Sequence, residues 1–120
     1  MRVAGMGFRK EVSHTALLEA LMQAGGVGGL TALATATDKA AALQSFAATL
    51  ALPVLAIDAA RLATQPVLTH SPRVKTLYGT GSLAEAAALA ATGPGARLIG
   101  PRVQSADGMA TAAIAIRITP

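Results

Sequence analysis

Short apolar runs closed by glycine or proline alternate along this chain with longer segments whose apolar residues recur every three to four positions. Strand, helix, strand, helix, strand in that order implies parallel crossovers, with helices covering both faces of one sheet. The order of these segments limits the chain more than any single motif does.

The first run, Arg2 to Met6, reads as a strand that ends in a turn at Gly5 and Gly7. Ser13 is an N-cap candidate for a helix whose face carries Leu17, Leu18, Leu21 and Met22, and Gly25-Gly26 closes it. Leu30 to Thr35 is a second strand. Thr37 or Asp38 caps a second helix, with Leu43, Phe46, Ala47 and Leu50 on its packing face, and Leu52-Pro53 ends it. Val54 to Ile57 is a short buried strand, followed by one helical turn from Asp58 through Leu62. Thr64 to Lys75 holds two prolines and no clear period, so it reads as a surface loop.

Ser82-Leu-Ala-Glu85 has the form of a capping box, in which the glutamate reaches back to the cap. It opens a third helix, with Leu83, Ala86, Ala87 and Ala90 as its packing stripe and Gly93-Pro94 as its end. Arg97 to Ile99 and Met109 to Thr119 are the last strands. Nine residues separate them, too few for a crossover helix, so this pair should be antiparallel. The expectation is one domain over residues 1–120: a three-layer α/β/α fold around a mixed, mostly parallel sheet of about five strands, the last antiparallel.

Alanine makes that layering tight. It supplies 29 of the 63 hydrophobic residues, while Trp is absent and Phe and Tyr total three. Small side chains let helices lie close to a sheet. So apolar a chain is not disordered, and with no cysteine it is neither disulfide-stapled nor a thiolate metal site. Nucleic-acid binding by base stacking lacks its aromatic rings. No apolar stretch is long enough to span a bilayer and no secretory signal opens the chain, so a cytoplasmic protein without a membrane or nucleic-acid partner is expected.

Ten Lys and Arg against six Asp and Glu give a net charge of +4, which favours anionic ligands. In open α/β sheets ligands collect beyond the carboxyl ends of the strands and at helix N-termini. Four segments should meet there: Gly5 to Lys10, Thr35 to Lys39, Gly79 to Ser82, and Pro101 to Gln104. The candidate binding residues are Gly5, Gly7, Arg9, Lys10, Asp38, Lys39, Thr80, Gly81, Ser82, Arg102 and Gln104. They suit a ligand with several carboxylates or phosphates. The third glycine of a dinucleotide fingerprint is missing, since Lys10 stands there, and no phosphate-binding loop motif occurs. His14 falls in the first turn of the first helix and His70 in a loop, and with no cysteine and few acids neither a metal set nor a nucleophile–base–orienter set emerges, and no cofactor is implied. Ser82 reads as a helix cap rather than a nucleophile.

The run from Tyr78 to Leu89, with Gly79-Thr-Gly-Ser82 and Glu85, resembles the signature of the cobalamin-biosynthesis family that includes CobE and the C-terminal domain of CbiG. Gly5-Met-Gly7 with Arg9-Lys10, Leu52-Pro53, Thr69-His-Ser-Pro-Arg-Val74 and Pro101-Arg-Val-Gln104 fall in the family's order over nearly the whole chain. The chain departs from the pattern at Phe8 and at Arg102 to Gln104, where members often carry a small or sulfur residue and Lys-Gln-Lys. The resemblance implies an α/β/α fold and a corrin or precorrin intermediate with several carboxylates as ligand, with other cobalamin-pathway enzymes as possible partners. Two function classes stay open beside a binder or carrier: a hydrolase acting on the ring-A lactone of a precorrin, and a small phosphate- or nucleotide-binding domain.

Overall fold

In a computed structural model, which describes residues 1–118, these segments form six strands and five helices around one sheet. The strands are β1 (Arg2–Phe8), β2 (Ala32–Ala36), β3 (Val54–Ile57), β4 (Arg97–Leu98), β5 (Val103–Gln104) and β6 (Ala110–Ile116). The helices are α1 (His14–Ala24), α2 (Ala40–Thr49), α3 (Ala59–Ala63), α4 (Pro72–Tyr78) and α5 (Leu83–Thr92). The sheet runs β3-β2-β1-β6-β4, with β5 also on β6. β1, β2 and β3 are parallel, as the crossovers require, and β6 runs antiparallel to β1, β4 and β5. β4 pairs with Ala115 and Ile116, β5 with Thr111 and Ala112, so they occupy successive halves of one edge of β6. Among the described residues, no helix is long and apolar enough to cross a membrane.

Alternation along β1 divides the core. Ala4 and Met6 face α1 and α2, where Leu17, Leu21, Leu43 and Phe46 are buried against them together with Ile114. Val3 faces the other side with Ala34, Ile57, Leu62, Leu83 and Ala87, under α3 and α5. Gly5 shares that second face, and a Cβ there would come within 2.7 Å of Ala88 N and 2.9 Å of Ala84 C, and closer still to the Ala84 carbonyl oxygen. The helix backbone lies directly on the strand backbone.

Several expectations need correction for local reasons. Gly5 and Gly7 do not end the first strand; β1 runs on to Phe8, with Gly5 making room for the α5 backbone and Gly7 for the Thr111 side chain on β6. The loop expected over Thr64 to Lys75 contains the start of α4, capped by the Ser71 hydroxyl, with Pro72 in its first turn and Gly79 closing it at φ 73°. Neither Thr37 nor Asp38 caps α2, which follows a 3-10 turn over Thr37–Lys39 without a side-chain cap. Met109 and Arg117 lie just outside β6, and Thr119 lies outside the described residues. The caps at Ser13 and Asp58 are in place, accepting from Ala16 N at 3.0 Å and Arg61 N at 2.9 Å. The stripe expected on α5 is instead a whole buried surface, from Leu83 to Ala90, because sheet and overlying loops enclose the helix.

Candidate functional site

The carboxyl ends of β1, β2 and β5 and the start of β6 open on a cavity of about 480 Å³, with α4 as its outer wall. The chain leaves β1 in a tight turn, pinned where Arg9 N donates to Met109 O at 2.9 Å and Val12 N to Arg9 O at 3.2 Å. Glu11 takes φ 68° within this turn, and Arg9 and Lys10 reach the cavity. The 3-10 turn after β2 supplies Lys39, the β4–β5 link supplies Arg102, and α4 supplies Arg73. Five of the ten Lys and Arg side chains therefore line one cavity, and no Asp or Glu lines it. Phe8, Val74, Leu77, Tyr78, Leu83 and Met109 form its apolar surface.

Lys39 is held on two sides. Its ammonium donates to the Phe8 carbonyl at 2.6 Å and sits 4.9 Å over the Phe8 ring. Burial lowers its pKa, the Arg73 charge adds to that, and the neighbouring Asp38 carboxylate opposes it. Asp38 itself turns away to accept from the Tyr78 hydroxyl at 3.1 Å, tying α4 to the end of β2. Burial, the Asp38 charge and this hydrogen bond push the Tyr78 phenol up to about 12, against the pull of Arg73.

Behind the cavity lies Glu85, fully buried on α5. Its N–H donates to the Ser82 cap at 3.2 Å, but its carboxylate does not reach back as a capping box would. One oxygen accepts from Leu68 N at 2.6 Å and Thr69 N at 2.9 Å, the other from the Thr69 hydroxyl at 2.6 Å and Arg102 N at 2.8 Å. Burial alone would raise its pKa. The Thr69 hydroxyl and the Arg102, Thr69 and Leu68 amides outweigh that and hold the group below the ordinary carboxylate value.

Of the residues expected from sequence, Gly7, Arg9, Lys10, Lys39, Arg102 and Gln104 line the cavity together. Asp38 touches it only through Tyr78. Gly5 lies under α5, and Ser82 is fully buried as the cap of α5. Thr80 and Gly81 line a separate cavity of about 440 Å³ on the other face of α4, beside Lys75 and His70. The Thr80 hydroxyl is buried without a protein partner among the described residues. His14 lies remote from both cavities, against Ser45 and the edge of Phe46. Sequence reasoning missed Arg73 and Tyr78 as site residues, because it read α4 only in part and as loop. The Ser71-Pro72 start and Gly79 stop were the signals that mark this helix.

The family described as cobalamin synthesis G C-terminus matches residues 2–115. Among solved structures, the chain is similar to CobE, a protein from the cobalamin (vitamin B12) biosynthetic pathway, at 32% identity and a TM-score of 0.85, over 99% of this chain and 95% of that one. It is also similar to the cobalamin biosynthesis protein chiG from Agrobacterium tumefaciens str. C58, at 32% identity and a TM-score of 0.72, over 99% of this chain and 100% of the other. No curated protein sequence matches.

Proposed function

The chain belongs to the cobalamin synthesis G C-terminus family, and from that premise we propose that it binds a corrin-ring intermediate of cobalamin biosynthesis, as a carrier or accessory to a cytoplasmic pathway enzyme. The observation that carries this reading is the cavity itself: five cations, no carboxylate, and an apolar surface between them. Corrin precursors are flat macrocycles with apolar faces and a rim of acetate and propionate groups. Such a ligand would set its carboxylates against Arg9, Lys10, Lys39, Arg73 and Arg102 and lay part of its face on Val74, Leu77 and Met109. Against a nucleotide site stand the missing third glycine, where Lys10 is found, and the absence of a phosphate-binding loop motif.

The cavity's hydroxyls support binding over turnover. Ser71 accepts from Val74 N, Tyr78 donates to Asp38, and Thr111 donates to the Gly7 carbonyl, so each is engaged in structure. The test is a spectral titration with hydrogenobyrinic acid, a metal-free corrin polycarboxylate, at two salt concentrations. Charge-assisted hydrogen bonds of about 1.5 to 3 kcal/mol predict that Arg9→Ala or Arg102→Ala weakens binding roughly ten- to hundredfold. Wild-type affinity should also fall with added salt. Salt-independent affinity, or full affinity in both variants, would refute an electrostatic clamp; ring opening by added water in a parallel incubation with a lactone-bearing precorrin would favour a lactone hydrolase, since the polycarboxylate probe has no lactone to open.

A further inference from the structure

We propose that Glu85 is the positioning residue of this cavity, holding its two cationic walls in register from behind through a single buried carboxylate. The inference rests on the binding reading above and adds how the site is assembled. One wall is Arg102, in the link between two strands of two residues each, where little sheet pairing fixes the backbone. The other is α4 with Arg73, none of whose residues is buried. Neither wall is anchored by a fully buried side chain; in α4 only Val74 and Tyr78 pack against the core, and both are partly exposed. Polar tethers add to that packing, and Glu85 accepts from Arg102 itself and from Leu68 and Thr69 in the segment that leads into α4.

One oxygen of Glu85 accepts the Thr69 hydroxyl and the Arg102 amide together, and the other takes the Leu68 and Thr69 amides. Thr69 lies two residues before Ser71, the cap of α4, whose own amide donates to Gly81 O at 2.8 Å. The carboxylate thus fixes where α4 starts and where Arg102 stands. It can do so because α5 cannot shift: it rests on Gly5 with no side chain between and is buried along its length. A glutamate that merely satisfied nearby amides would stabilise the protein without mattering to the ligand. A positioning glutamate would change affinity even when the fold survives.

Two measurements test this, one with ligand and one without. Thr69→Val removes one hydrogen bond from the oxygen that Arg102 shares, while Thr69→Ser keeps it. Hydrogenobyrinic acid should bind Thr69→Val about five- to tenfold more weakly, by the loss of one such bond, and Thr69→Ser within about twofold of wild type. Glu85→Gln places an amide NH2 against an N–H donor and should lose more; if it fails to fold, the Thr69 pair carries the test. Without ligand, amide hydrogen exchange at Arg102 should quicken in Thr69→Val, although the residues are far apart in sequence, and recover in Thr69→Ser. Unchanged exchange at Arg102, or wild-type affinity in both Thr69→Val and a folded Glu85→Gln, would overturn the proposal. If the wild type does not bind the probe, the binding reading fails, and the exchange experiment alone decides whether Glu85 couples the two walls.

Discussion

Replacing Gly5 with alanine adds one methyl group, and the structure says where it goes. Gly5 sits in the β1 ladder, paired with Ala34 and Ala113, and its φ is not positive, so alanine meets no backbone strain. The cost is steric. The new Cβ would lie 2.7 Å from Ala88 N and 2.9 Å from Ala84 C, two turns of α5 backbone that no rotamer change can move. Sheet lies on one side of the contact and the enclosed helix on the other. Overpacking typically costs about 1–3 kcal/mol and sometimes more, while the stiffer unfolded chain returns about 0.4–1 kcal/mol. A net loss of about 2 kcal/mol or more is expected, from the upper end of that cost, because only backbone can yield. Gly7→Ala is the internal control. Its Cβ meets the Thr111 hydroxyl at 2.7 Å, the free end of a side chain, and otherwise nothing nearer than 3.8 Å. Thr111 can rotate away at the expense of a 3.3 Å hydrogen bond to the Gly7 carbonyl, so the change should stay within about 1 kcal/mol. Urea unfolding of both variants, compared at equal m, measures the difference. A Gly5→Ala protein within about 0.5 kcal/mol of wild type, or a Gly7→Ala protein equally damaged, would refute the reasoning from close helix–strand contact.

Two further predictions concern titration. Tyr78 is the sole tyrosine, so the ultraviolet absorbance of tyrosinate reports it alone, and the folded protein should show a midpoint near 12 rather than the ordinary 10.0. Since the folded pKa is the higher one, this contribution to stability is complete below pH 10 and lost as pH rises toward 12; Asp38→Asn should bring the midpoint down, and an ordinary midpoint in the wild type would disprove the Asp38 tether. Glu85 titrates with the opposite sign: its folded pKa lies below the ordinary 4.5, so its contribution is present above 4.5 and lost as pH falls through the folded value. The urea midpoint should fall on acidification below that point, and a folded Glu85→Gln protein should lose part of the slope; an identical slope would show that the carboxylate is not selectively stabilised.

The parallel half of the fold was legible because crossovers and helical periods are local signals. Ser13, Asp58 and Ser82 cap the helices that their sequences mark. Gly5 was misread for a physical reason: glycine serves both turns and close approaches, and only the packing partner, here Ala84 to Ala88, tells them apart. Glu85 fits a capping box in sequence, yet three amides and a hydroxyl from distant segments compete better for its carboxylate than the Ser82 amide does. The cations after β1 and β2 could be placed by the strand-end rule, whereas Arg73 depended on recognising α4. Thr80 and Gly81 followed the same rule and went to the neighbouring cavity, because α4 stands between the two.

The strand order also constrains how the molecule comes to exist. β1, made first, and β6, made last, lie side by side in the middle of the sheet, with Arg2 opposite Ile116 and Phe8 opposite Ala110. At translation rates of about 5–20 residues per second, β1 waits on the order of ten seconds for its central neighbour. Until then one of its edges is bare, and an unpaired apolar edge is a template for strands of other chains. Contacts this distant in sequence also slow the search once synthesis is complete. The ribosome thus delivers the keystone of the sheet last, and crowded nascent chains are where this protein is most exposed to error.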